Sequence, residues 1–149
     1  MELSPVLVDV PARRVVGVVV ISPMEPNLCP TAWHAFEPRI REVAIEGDCL
    51  GVCWWDYPGL TEGHFAYMAC FESSMVPPEG MEAWELPAAR YASVEISGLE
   101  AIRPTIAEFY DAWLPQSGLS AGSAPFTELY PETFPESPKL NLLFSVEPS

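Results

Sequence analysis

Positive charge is what this sequence has least of. Its 149 residues include 7 Lys and Arg against 21 Asp and Glu, for a formal charge of -14. Lys139 and the arginines are scattered, with no basic block to meet a phosphate backbone or an anionic membrane. The pattern therefore predicts no direct nucleic-acid binding and no membrane partner. Histidine is nearly missing, with only His34 and His64 present. The four cysteines are Cys29, Cys49, Cys53 and Cys70. Cys49 and Cys53 share a strand face, but four residues of strand hold them about 13 Å apart, too far for one disulfide or one metal ion. All four read as free thiols, and neither a metal nor a cofactor is expected. No apolar run reaches membrane-spanning length. The start, Met-Glu-Leu-Ser-Pro, is neither basic nor followed by an apolar core, so no secretory leader is read and a cytoplasmic location is expected. Gly118 to Ser123 reads as a plain loop, lacking the lysine and the strand-to-helix setting of a phosphate loop. No serine or cysteine sits in a recognisable nucleophile motif.

What is present is hydrophobic matter, at 49% of residues, enough for one domain over residues 1–149 with a substantial core. Val6 to Val10 and the valine-rich run Arg14 to Ile21 predict strands, the second apolar on both faces like a covered inner strand. After a Pro-rich loop, Thr31 is placed to cap a helix with Trp33, Phe36, Ile40 and Val43 or Ala44 on its apolar stripe. Pro38 should kink or divide that helix. Leu50 to Trp55 and Phe65 to Glu72 follow as strands close enough to pair antiparallel. Ser73 to about residue 86 reads as a Pro-rich linker.

Then the order begins again. Arg90 to Ser97 is a strand, and a helix follows with Ile102, Ile106, Phe109, Tyr110 and Trp113 at helical spacing. Phe126 to Tyr130 and Leu140 to Val146 are the last two strands. Each half is thus strand, helix, strand, strand: repeat one spans about 6–72 and repeat two about 87–147. Ala12-Arg13 and Ala89-Arg90 mark corresponding starts. The fold class expected is α+β, two β-α-β-β repeats related by a pseudo-twofold axis with a ligand cleft between them.

The segment Phe126-Thr-Glu-Leu-Tyr130 stands out chemically. Alternation puts Phe126, Glu128 and Tyr130 on one strand face, a carboxylate between two aromatic rings. Facing solvent, it means little. Lining a cavity, it suits an organic cation or a proton transfer. Tyr91 and Tyr67 are candidates for the same wall. Trp54 and Trp55, as strand neighbours, face opposite ways, so one packs in the core and the other walls the cleft. Trp84 either caps the cleft or covers the sheet. Trp33, Phe36, Phe109 and Trp113 lie on helical stripes and read first as core, although an aromatic near a helix end, such as Trp113, can floor a shallow pocket. Asp56, Glu72 and Glu95 read as solvated.

The order of elements resembles the GyrI-like small-molecule-binding domain, also found as the effector-binding part of multidrug-responsive transcription activators. The marks are Leu50-Gly51-Val52 followed by Asp56-Tyr57-Pro58, the strand Tyr67 to Glu72, and Pro77-Pro78-Glu79-Gly80-Met81. Leu86-Pro87-Ala88-Ala89-Arg90-Tyr91, the helix end from Trp113 to Gly118, and Glu128-Leu129-Tyr130 complete the series. The resemblance implies a cleft between two β-α-β-β repeats that holds hydrophobic, cationic or planar organic molecules, with Glu128 as the cleft carboxylate. It also implies two alternatives. One is a cofactor-free hydrolase that opens cyclopropane-containing electrophiles with Glu128 and Tyr91. The other is an acidic module that inhibits DNA gyrase as a protein partner. The activators carry a helix-turn-helix segment ahead of this domain, which this sequence does not show.

Overall fold

Pro11 and Ala12 alone separate the first two strands, β1 (Val6–Val10) and β2 (Arg13–Pro23). The computed structural model describes residues 2–40 and 47–149. Within β2, Val15 and Val16 point to opposite faces and both are fully buried, as an inner strand covered on both sides requires. The loop that follows enters α1 (Cys29–Phe36). Thr31 lies inside its first turn and is not the cap; Pro30 occupies the start, where a missing N–H costs nothing. The side-chain oxygen of Asn27 accepts the Cys29 backbone N–H at 2.8 Å. Pro38 does divide the helix. After Phe36 the chain continues as one 3-10 turn, Glu37–Arg39, because proline cannot donate to the preceding turn. The expected stripe positions Val43 and Ala44 lie outside the described residues.

Strands β3 (Cys49–Trp54) and β4 (His64–Glu72) pair antiparallel. In the stretch read as linker, Glu82–Leu86 is a strand, β5, paired with β2. β6 (Ala89–Ser97) opens the second half. After a 3-10 turn at Leu99–Ala101, the second helical segment runs through α2 (Ile102–Glu108), a π turn at Phe109–Trp113 and α3 (Leu114–Ser117). It stops at Gly118, whose φ of 80° is the left-handed turn that glycine adopts without strain. A short strand β7 (Leu119–Ala121), in a stretch read as loop, pairs with the end of β9 (Lys139–Pro148), and β8 (Phe126–Tyr130) lies between them in sequence.

The antiparallel sheet runs β1-β6-β9-β8-β3-β4-β2-β5, with β7 attached to β9. Its seam is the β8/β3 ladder, in which Glu128 faces Gly51 across the strands. Moving outward from the seam, Gly51, Ala69 and Val18 in one half answer to Glu128, Leu142 and Val94 in the other. The two halves are thus β-α-β-β units about a pseudo-twofold axis. The structural match is one residue out of step with the Arg13/Arg90 match seen in sequence: Arg14 answers to Arg90. The outer ion pairs agree, with Arg14 on Glu85 at 3.7 Å and Arg90 on Asp9 at 2.9 Å.

Both helical segments cover one face of the sheet. Under α1 lie Val16, Val18, Tyr67, Ala69 and Phe71. Under the second segment lie Val94, Leu140, Leu142 and Phe144, with Phe109 stacked on Phe144 at 3.9 Å. The opposite face buries Val15, Leu50, Val52, Met68, Trp84 and Leu86. No helix is needed to cover that face. The short links at Pro11-Ala12 and Pro87-Ala88 tie each edge strand to the other half, so the sheet curls and Arg13 of β2 comes close enough to Tyr91 of β6 for its charge to be felt there. Among the described residues no helix is long and apolar enough to cross a membrane.

Candidate functional site

Alternation on β8 turns Phe126, Glu128 and Tyr130 toward the helices, at the seam between the two halves. Glu128 is 9% exposed. Its Oε1 accepts two hydrogen bonds, from the Tyr67 hydroxyl at 2.6 Å and from the Tyr130 hydroxyl at 3.0 Å. The Tyr67 oxygen in turn accepts the indole N–H of Trp33 at 2.8 Å. Trp33 also stands edge-on to the Tyr130 ring, with centroids 5.2 Å apart. Four elements converge here: α1 supplies Trp33, β4 supplies Tyr67, β8 supplies Glu128 and Tyr130, and β3 supplies the space.

That space is Gly51. A Cβ built on it would meet the Tyr67 hydroxyl, the Tyr67 ring carbon Cζ and Glu128 Oε1, all at distances no real Cβ tolerates. A glycine inside a strand marks a close approach, and here the approaching groups are the site itself.

Burial raises the Glu128 carboxyl above the ordinary carboxylate range, and the two phenol donors pull it part of the way back. Burial first, and the Glu128 charge next, push the Tyr67 and Tyr130 hydroxyls up, so both remain O–H donors. The Cys29 thiol is pushed up to about 12 by burial and then by Glu128. Burial drives Cys53 up as well, reinforced by Glu128 and Cys29. These thiols are protonated walls. At the start of α2, Arg103 pairs with Glu25 at 3.5 Å, joining the loop before α1 to the second helical segment.

Beside this centre, Cys53, Trp55, Asp56, Tyr110 and Phe126 line a cavity of about 200 Å³. Trp55 is half exposed and leans on Phe65, centroids 4.6 Å apart. Trp54 points the other way, into a cluster with Tyr57 and Trp84 on the opposite sheet face, where the Tyr57 hydroxyl donates to Glu82 at 2.9 Å.

Of the residues singled out from sequence, Glu128, Tyr67 and Tyr130 are hydrogen-bonded together, and Phe126 and Trp55 border the adjoining cavity. Four others lie elsewhere. Tyr91 is buried on the far face of the sheet, its hydroxyl donating to the Pro125 carbonyl at 3.3 Å, because Ala92, Val94 and Ile96 take the helix-facing positions of β6. Trp54 and Trp84 belong to the far-face cluster, although Trp54 also reaches the rim of the cavity at Trp55. Trp113 stacks on Phe109 and borders a separate cavity with Leu7, Gln116 and Leu119. Trp33, read first as core, is part of the site, and Cys29, Cys53 and Tyr110 were not singled out for it. Gly51 had a signal in sequence, a glycine amid strand residues.

Comparison with known proteins gives this geometry a context. Residues 3–146 match the GyrI-like small molecule binding domain. The chain is 30% identical over 137 residues to the transcriptional regulator BrlR of Pseudomonas aeruginosa, covering 86% of this chain and 48% of that protein. It therefore spans about half the length of this curated relative. Among solved structures, SAV2435 bound to tetraphenylphosphonium superposes with a TM-score of 0.75 at 17% identity, over 97% of this chain and 94% of that one. The EcmrR C-terminal domain superposes with a TM-score of 0.71 at 15% identity, over 100% of both chains. Those two likenesses concern the fold. The match over nearly the whole sequence concerns descent, and by it this chain belongs to the GyrI-like small-molecule-binding domain family.

Proposed function

We propose that this domain binds hydrophobic organic cations, with Glu128 as the electrostatic anchor and the rings of Trp33, Tyr67 and Tyr130 around it. The observation that carries this reading is a buried carboxylate that has no cationic partner among the described residues. Both phenols address Oε1, while Oε2 accepts no hydrogen bond among those residues. A buried anion without a counter-charge is costly, and a bound cation removes that cost while its apolar body replaces water on the aromatic faces. The cavity at Trp55 and Tyr110 is smaller than the usual ligand pocket of roughly 300 Å³ or more. Binding therefore requires side chains to swing, and Trp55 and Tyr110, 51% and 41% exposed, are the exposed aromatic rings among those lining it. That SAV2435 is described bound to tetraphenylphosphonium supports the choice of ligand class.

A hydrolytic role has less support. Its pair Glu128 and Tyr91 is divided by the sheet, and Tyr67 and Tyr130 would have to serve as the donors instead.

Tryptophan fluorescence during titration with tetraphenylphosphonium, and with neutral triphenylphosphine oxide as control, tests the proposal. Saturable quenching by the cation is expected, and Glu128→Gln should weaken it by about 1 to 3 kcal/mol. Equal affinity in parent and variant, with the fold intact, overturns the assignment.

A further inference from the structure

We infer that Gly51 is a positioning residue of the Glu128 site: its missing side chain is the space in which the Tyr67 hydroxyl meets the carboxylate. The inference rests on the cation-binding reading for its functional meaning, but its geometry stands alone. Gly51 and Glu128 face each other across the seam and are the two pseudo-twofold equivalents. A side chain at both positions would bring two projecting groups to one point above the sheet. One half of the molecule contributes the charge, and the other contributes its absence.

The contacts are unequal in what they permit. A new Cβ at Gly51 would run into the Tyr67 hydroxyl and Glu128 Oε1, and would meet Tyr67 Cζ at 2.8 Å. The carboxylate tip sits on a flexible chain and can move aside. The Tyr67 ring cannot, since it is 1% exposed, is tied to Trp33 by its oxygen, and belongs to the core under α1. A methyl group at position 51 therefore drives the carboxylate off the Tyr67 hydroxyl and tilts it away from Tyr130. Gly17, the other crowded strand glycine of the first half, meets chiefly the backbone and Cβ of Ala69 and Cys70. Its role is packing; that of Gly51 is to shape the site.

The test is a cycle of Gly51→Ala and Tyr67→Leu in the full chain, read by thermal melting and by tetraphenylphosphonium titration across pH. In the parent background Gly51→Ala should lower the melting temperature by several degrees and weaken the cation by roughly tenfold, the scale of one lost charge-assisted hydrogen bond. The leucine side chain of Tyr67→Leu ends short of the contested space, so adding Gly51→Ala to that variant should cost nearly nothing in melting temperature. The titratable groups facing Glu128 are Cys29 on α1, Cys53 on β3, Tyr67 on β4 and Tyr130 on β8. Of these, Gly51→Ala removes the Tyr67 donor, so the binding midpoint should move to higher pH. Equal cost of Gly51→Ala in both backgrounds overturns the inference, as does parent-like affinity and midpoint in Gly51→Ala. If Gly51→Ala does not fold, Tyr67→Leu with and without it decides, because a large difference between those two proteins means simple packing. Failure of the parent itself to bind the cation, together with the expected melting cycle, rejects the ligand reading and leaves the geometry of Gly51 standing.

Discussion

Glu128 ties the pH behaviour of this protein to its buried geometry. Its folded-state proton affinity is raised from the ordinary 4.5 by burial. Between the unfolded and folded values the folded protein holds more protons than the unfolded chain, so stability falls as pH rises through that window. Glu128→Gln removes this dependence. It is expected to melt above the parent at pH 7, with the gap closing below about pH 4, where the carboxyl is protonated in both states; thermal melts across pH would show a missing or reversed gap if the residue were solvated. Cation binding has the opposite preference, needing the ionised form, and should weaken as pH falls through the raised value. Cys29 reports on the same field. With its thiol pushed up to about 12, alkylation by iodoacetamide at pH 8 should run roughly a hundredfold slower than for an ordinary thiol, scarce thiolate being partly offset by its greater nucleophilicity. Peptide mass spectrometry gives the rate. Glu128→Gln should quicken it, and a parent rate equal to that of free cysteine would contradict the burial.

At the scale of elements, the second helical segment shows how packing overrides periodicity. The spacing of Ile102, Ile106, Phe109, Tyr110 and Trp113 reads as one α-helix. The structure turns Phe109–Trp113 into a π turn, and consecutive Phe109 and Tyr110 both reach the ring of Phe144, at 3.9 and 5.6 Å between centroids. Such turns insert into α-helices most often near functional positions, and Tyr110 here borders the cavity beside Glu128. Phe109 itself is fully buried. Phe109→Ala should therefore cost about 3 to 5 kcal/mol in chemical denaturation, whereas a loss below about 1 kcal/mol would mean that the turn is strained and gains by relaxing. The linker shows the converse. Prolines made Ser73 to about residue 86 look unstructured, yet Glu82–Leu86 becomes an edge strand whose place exists only because β2 offers it a partner.

Over the whole molecule, the two repeats exchange their outer strands. β1 lies within the span read as the first repeat but pairs with β6 of the second, while β5, from the stretch read as linker, pairs with β2 of the first. Trp33 packs against the cores of both halves. The halves should accordingly unfold together, in one transition seen alike by circular dichroism and tryptophan fluorescence. A fragment of residues 1–86 leaves β1 without β6 and the seam strand β3 without β8, and it should show no cooperative melt. A cooperative transition in that fragment would mean that each repeat is self-sufficient.

Local periodicity was enough to read the β-α-β-β order of both halves, the division of the first helix at Pro38, and the shared face of Phe126, Glu128 and Tyr130. Each follows from neighbours within one element, where strand alternation and the chemistry of proline act. The company Glu128 keeps is a different matter. That Tyr67 reaches it with Trp33 behind, that Gly51 makes room for the Tyr67 hydroxyl, that Trp55 and not Trp54 packs on the Phe65 side of the sheet, and that Tyr91 lies across the sheet all depend on register between distant strands. A register shift of one residue exchanges the two faces, and the same composition would then bury a different set. Most of the elements, and the side chains that ride together on each, follow from the local pattern of the chain. Which faces meet at the seam follows only from long-range pairing and the curl of the sheet, because no residue's neighbours in sequence carry that choice.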